Sequence, residues 1–194
     1  TEIYTLSLHD ALPISAARAD WPTFRGPYHD GHVSVPGDSK KIGLPLEWGE
    51  RKNIRWMIEI PHLGWSTPAV MGGQVWLTSA TEDGRDFYAI CADAESGKVL
   101  FNERLFHCDE PESLYNAAGH NTYATPSVVL EPGRAYIHFG TYGTACLDTK
   151  TFKEIWRRED IHCRHYRGPS STPFLYENLV ILTMDGVDLQ YLLA

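Results

Sequence analysis

Apolar and polar residues alternate in short runs along the second two thirds of the chain, and the runs return in the same order. Ala69-Val70 follows Trp65-Ser66-Thr67-Pro68, and the turn Met71-Gly72-Gly73-Gln74 separates it from Val75-Trp76-Leu77-Thr78. Ala124-Thr125-Pro126-Ser127-Val128 and Ser171-Thr172-Pro173-Phe174-Leu175 restart the pattern. Their turns are Glu131-Pro132-Gly133-Arg134 and Glu177-Asn178, and their second runs are Ala135 to Phe139 and Leu179 to Thr183. Short period-two runs cut by Gly, Pro or Asn predict strands, and each pair predicts an antiparallel hairpin.

A third strand follows each hairpin: Phe87 to Ile90 after Glu82-Asp83-Gly84-Arg85, Thr144 to Leu147 after Thr141-Tyr142-Gly143, and Leu189 to Leu193 after Asp185-Gly186-Val187-Asp188. The first two units continue to a fourth, Val99-Leu100-Phe101 and Glu154-Ile155-Trp156. The Thr-Pro starts stand at 67, 125 and 172, intervals of 58 and 47 residues. Four short strands at that period predict an all-β chain, a partial β-propeller of four-stranded antiparallel blades. Two blades are complete and most of a third is present. Asn53-Ile54-Arg55-Trp56-Met57-Ile58-Glu59-Ile60 also alternates, with Trp56 where Phe101 and Trp156 stand later, and it is expected as one orphan outer strand.

The unit ending Asp-x-x-(Thr/Ser)-x-Lys-x-x-aromatic occurs as Asp148, Thr151, Lys153, Trp156 and as Asp93, Ser96, Lys98, Phe101. It resembles the tryptophan-docking motif of PQQ-like repeats, a family of quinoprotein dehydrogenases, an outer-membrane-assembly propeller lipoprotein and other exported propellers. The resemblance covers roughly residues 20 to 194. It implies aromatic side chains that pack between blades and motif residues that touch no cofactor. It also implies two functional alternatives. One is a binding or scaffold propeller facing a protein or glycan of the cell envelope. The other is a dehydrogenase of alcohols or sugars that uses PQQ with calcium, and no ligand of that cofactor transfers to a residue of this chain.

Composition narrows the partners. A net charge of −8 without a Lys/Arg cluster argues against nucleic acid and anionic membrane surfaces, while 43% hydrophobic content supports a packed core. No run of apolar residues is long enough to span a bilayer. Residues 1–19 are expected to stand apart from the fold: Glu2 to Ser15 resemble a translated sequencing adapter, and Ala17-Arg18-Ala19 fits the end of a secretory signal, which points to a periplasmic or secreted protein. Residues 20–52, rich in Gly and Pro, are expected to be extended and turn-rich. The propeller proper is assigned to 53–194. Since a ring of about six to eight blades needs more than twice this length, the chain is expected to be part of a longer propeller.

In a propeller, the loops between blades and those joining second to third strands emerge on one face. Here the interblade loops 102–123 and 157–170 hold most of the chain's unusual chemistry. His107, His120, Asn121, His162, His165 and Arg167 are therefore the candidate ligand-binding residues, lining one surface near the axis; close packing of the same loops on one another is the competing reading. His107-Cys108 and His162-Cys163 sit at matching points of successive units. They leave open a metal pair, a Cys108–Cys163 disulfide in an oxidising compartment, or unlinked loop residues. Cys91 and Cys146, on third strands, are expected to be small core residues. Asp83, Asp86, Asp185 and Asp188 flank turns and are assigned to turn geometry. No catalytic residue and no metal ligand is assigned.

Overall fold

A computed structural model describes residues 20–34, 37, 43–114 and 120–194. Residues 1–19, on which the adapter and signal expectations fall, lie outside them, as do Tyr115 and Asn116. The described chain is all-β. Strands β1 (Ala69–Met71), β2 (Gln74–Ala80), β3 (Asp86–Asp93) and β4 (Val99–His107) form one antiparallel sheet in sequence order. Strands β5 (Val129–Glu131), β6 (Arg134–His138), β7 (Thr144–Asp148) and β8 (Glu154–Arg158) form a second, and β9 (Phe174–Tyr176), β10 (Leu179–Asp185) and β11 (Gln190–Leu193) a third of three strands. The helical content among the described residues is a single 3₁₀ turn, Gly140–Tyr142. This is a partial β-propeller of antiparallel up-and-down blades.

Burial follows the pleat. In β2, Trp76 and Thr78 point inward, in β3 Phe87, Ala89 and Cys91, and all are buried because successive side chains alternate across the sheet. In the second blade the inner strands β5 to β7 are largely buried on both faces, while the outer β8 stays mostly exposed. Ala135, Ile137, Ala145 and Leu147 pack toward the first blade, whereas Val129, Tyr136 and Cys146 pack toward Leu175 and Val180 of the third. Strands covered on both sides need apolar residues at odd and even positions alike, which explains the run Ala135 to Phe139, interrupted by His138 alone. Cys91 and Cys146 are fully buried, as their strand positions imply, and burial pushes their thiols up to about 12 and about 11.

The turn between third and fourth strands is built identically twice. Asp93 Oδ1 accepts from Ser96 N at 2.7 Å and Ser96 Oγ at 2.6 Å, and Asp148 Oδ1 accepts from Thr151 N at 2.7 Å and Thr151 Oγ1 at 2.9 Å. Lys98 and Lys153 return their carbonyls to Asp93 N and Asp148 N. Hydrogen bonds from Thr151 hold the Asp148 carboxyl below its ordinary range. The cassette is local, so four residues suffice to specify it.

Onto each cassette docks an aromatic residue of the preceding unit. Trp56 Nε1 donates to Ala94 O at 3.1 Å, and its indole lies against Gly97, where an added Cβ would stand 2.7 Å from Cδ2. Gly97 has φ +71, a backbone conformation that favours glycine; Phe152 holds the same point of the second turn at φ +58, so it is the Trp56 contact that leaves no room for a Cβ here. One unit later Phe101 stacks on Phe152 at 5.2 Å and 17°, with the Trp76 ring beside both. The segment 53–60, expected as an orphan outer strand without its own first three, is left without a blade of its own and takes part in no sheet among the described residues. Its residues are extended with Ile54, Trp56, Ile58 and Ile60 turned inward, yet they pair with no strand. A fourth strand bonds to its own third strand, and none of the eleven strands fills that place; only the side-chain docking of Trp56 persists.

The leading segments tie the blades together. Trp65 N bonds Ala124 O at 3.1 Å, Thr67 N bonds Ser127 Oγ at 2.9 Å, and Ser127 N bonds Thr172 Oγ1 at 3.1 Å. Residues 20–31 then run across these first strands. Trp21 exchanges both backbone bonds with Val70 (2.7 and 2.8 Å), Pro22 O accepts from Leu130 N at 2.8 Å, and the His29 ring meets Phe174 at 5.3 Å.

Candidate functional site

The loops predicted to share a face do interlock there, with one correction: residues 102–107, assigned to the first interblade loop, prolong β4, so His107 ends a strand. Cys108 N bonds Arg85 O at 2.8 Å, and Val187 N bonds Arg164 O at 2.9 Å. Arg164 N donates to Asp188 Oδ1 at 2.7 Å, and Tyr123 OH donates to Glu112 O at 2.7 Å.

Within that face the six candidate residues part company. Asn121 bridges the two interblade loops: its Nδ2 donates to Arg167 O at 2.8 Å, with Gly168 O and Pro169 O at 3.3 and 3.4 Å, while Oδ1 accepts from Thr122 N at 2.9 Å and from Thr125 Oγ1. Its amide is engaged on both ends. His165 does not line a surface. It is only 7% exposed, its Nε2 accepts from Thr141 N at 3.3 Å, and Cys163 Sγ lies 3.5 Å away. With Nε2 an acceptor, the ring proton sits on Nδ1, 3.8 Å from Asp185 Oδ1. Gly140 makes this possible, since a Cβ there would meet His165 Nε2 at 2.4 Å.

His107, His120, His162 and Arg167 are exposed. His107 closes a charged group on the first blade: Nδ1 to Asp86 Oδ1 at 2.7 Å, Nε2 to Asp109 Oδ1 at 3.2 Å, and Arg104 on the same Asp86 oxygen at 2.9 Å. The hydrogen bond that Asp86 accepts from His107 raises the His107 pKa and lowers that of Asp86. His162 Nδ1 meets Thr141 Oγ1 at 3.3 Å, and the Arg167 guanidinium lies over the Tyr166 ring at 5.9 Å.

The aspartates divide likewise. Asp83 Oδ1 serves its turn through Thr81 Oγ1 and Arg85 N, and Asp188 Oδ1 through Leu189 N. Asp86 is a correction: it stands in β3 and holds Arg104 and His107 rather than a turn, because the strand begins before the turn residues run out. Asp185 likewise ends β10, near His165.

Cys108 and Cys163 are both unbonded and pack in different clusters, Cys108 against the core between the first two blades, Cys163 with Leu182 and Met184. Burial raises the Cys163 thiol to about 11. Among the described residues no three His, Cys, Asp or Glu side chains are grouped so as to hold a metal ion.

Recesses are present among the described residues. One, about 370 Å³, lies under Trp156 between the second and third blades and is mainly apolar, walled by Ile161, Leu179, Leu182 and Leu193. Another, about 380 Å³, opens where the interblade loops run into the first strands, between Phe24, Trp65 and a row of hydroxyls that includes Ser127 and Thr172. Sequence reasoning passed over the second because it looked for His and Cys; the signal present was the Ser/Thr-rich lead into each unit.

These features define the chain as part of a four-stranded-blade β-propeller joined by a polar loop face. No family model matches the sequence, and no curated protein matches it. Among solved structures it is similar to the quinohemoprotein alcohol dehydrogenase ADHIIG from Pseudomonas putida HK5, with 18% identity and a TM-score of 0.44. The alignment covers 66% of this chain and 18% of that one.

Proposed function

We infer that this chain is a binding module: a propeller segment that presents a recess at the inner ends of its blades to a glycan or protein of the cell envelope, without catalysing a reaction. The observation that carries the reading is the recess beside Trp65 and Phe24, since it joins exposed aromatic surface to hydroxyl groups and small-molecule sites combine those two elements. The loop face gives less support for binding, because Asn121 and His165 are engaged in joining loops. His107, His120, His162 and Arg167 remain as its outer rim.

The test is the purified protein incubated with PQQ and calcium and assayed for dye reduction with an alcohol or a sugar. The binding reading expects none, and turnover would overturn it. The periplasmic or secreted location rests on Ala17-Arg18-Ala19 and is checked by fractionating the source cells. Recovery in the cytoplasm would refute it.

A further inference from the structure

The recess beside Phe24 and Trp65 has a chemistry of its own. Its walls are Thr125, Ser127, Ser170 to Thr172 and Thr183, and no lining residue is charged. Two of the hydroxyls are oriented by the backbone. Ser127 Oγ accepts from Thr67 N at 2.9 Å and Thr172 Oγ1 accepts from Ser127 N at 3.1 Å. A hydroxyl has one proton and two lone pairs, so neither of these bonds uses the proton of the oxygen that accepts it. The two lie in successive units, and each accepts from a backbone N–H of the unit before it.

At the mouth, Trp65 is 51% and Phe24 54% exposed. Leaving aromatic surface in water forgoes about 25 cal/mol for each Å², and yet the placement of Phe24 is enforced. The backbone bonds of Trp21 to Val70 and of Leu130 to Pro22 pin the segment to two first strands, two residues before the ring.

We propose that this recess binds a neutral saccharide; the inference rests on the binding-module reading and names its ligand class. A sugar ring offers an apolar C–H face to an aromatic side chain and an edge of hydroxyls to neutral donors and acceptors, which is the division of labour seen here. A charged ligand would lose its hydration without gaining an opposite charge, and a wholly apolar one would take water from the row of hydroxyls without replacing its hydrogen bonds. The volume, about 380 Å³, stands near the lower end of small-molecule sites, about 300–1,000 Å³, and suits a short stretch of sugar units.

The experiment is calorimetric titration of the full chain with cellotetraose, maltotetraose and chitotetraose. At least one should bind, and Trp65→Ala and Phe24→Ala should each weaken it by about tenfold or more through lost stacking. Both side chains are half exposed, so thermal unfolding should move little; if one variant fails to fold, the other decides. Absence of binding by all three sugars overturns the proposal, and so does binding unchanged by either substitution, which would place the sugar elsewhere. Both results leave the binding-module reading intact; that reading fails instead on PQQ-dependent dye reduction.

Discussion

Acid should unfold this protein through a histidine that lies within the sheet. His138 ends β6 at 2% exposure, with Nδ1 2.8 Å from Thr144 Oγ1. Burial, and after it the positive charge that His165 would carry, pushes its pKa down to about 3. In the unfolded chain the same ring titrates near about 6.5. The folded value is the depressed one, so the unfolded state takes up the proton first as pH falls: stability is complete above about pH 6.5 and declines until the folded value near about 3 is reached. One proton of difference gives a slope of about 1.4 kcal/mol per pH unit, and about 2 kcal/mol between about pH 8 and about pH 5. His165 adds a loss of the same sign, burial being its main cause, though Asp185 partly opposes it. His107, raised by Asp86, acts oppositely: its contribution is present at low pH and fades as pH rises. Urea unfolding from about pH 8 to about pH 5, of the native chain and of His138→Gln, isolates the group, because Gln keeps a partner for Thr144 and cannot titrate in this range. The variant should lose most of the slope, whatever its absolute stability. Parallel pH profiles for the two proteins would show that His138 is accessible to protons in the folded state and would refute the reasoning.

Gly97→Ala should cost about 1–3 kcal/mol through strain at positive φ and the Trp56 contact; in a Trp56→Ala background the cost should fall by about 0.5 kcal/mol or more, and strict additivity in denaturant midpoints would deny the docking. Phe101→Ala should destabilise by about 2–4 kcal/mol, since it removes the ring stacked on Phe152 and set against Trp76, and an unshifted midpoint would contradict it. Asn121→Ala should cost about 1–3 kcal/mol by leaving carbonyls of the second loop unpaired, with faster hydrogen exchange at Thr122 as its local sign. His120→Ala, at an exposed position, should stay within about 0.5 kcal/mol, whereas His165→Ala should lower the melting temperature by several degrees; equal behaviour of the two would contradict the burial of His165.

Local chemistry is what the sequence by itself determined. Thr-Pro leads, turn residues and period-two runs act over a few neighbours, so the eleven strands, their antiparallel order and the Asp93 and Asp148 turn cassettes were all legible before any contact was known. The same holds for Cys91 and Cys146, whose strand positions implied burial. Alternation tells which side of its own strand a residue faces. It does not tell what stands opposite. Asn53 to Ile60 alternates like a strand but finds no third strand to bond to, so only Trp56 completes its expected role. Phe152, at an unspecified position of the docking motif, became the stacking partner of Phe101 because the second blade brings it there. His165 and Asn121 carry the residue types of a ligand site, yet loop-on-loop packing buries the first and engages the second. Phe24, Trp65, Ser127 and Thr172 are scattered through the chain, and the recess they share exists only because residues 20–31 cross the first strands of successive blades. Contacts between sheets depend on the relative placement of whole blades, a property of the assembled fold that no short window of residues encodes.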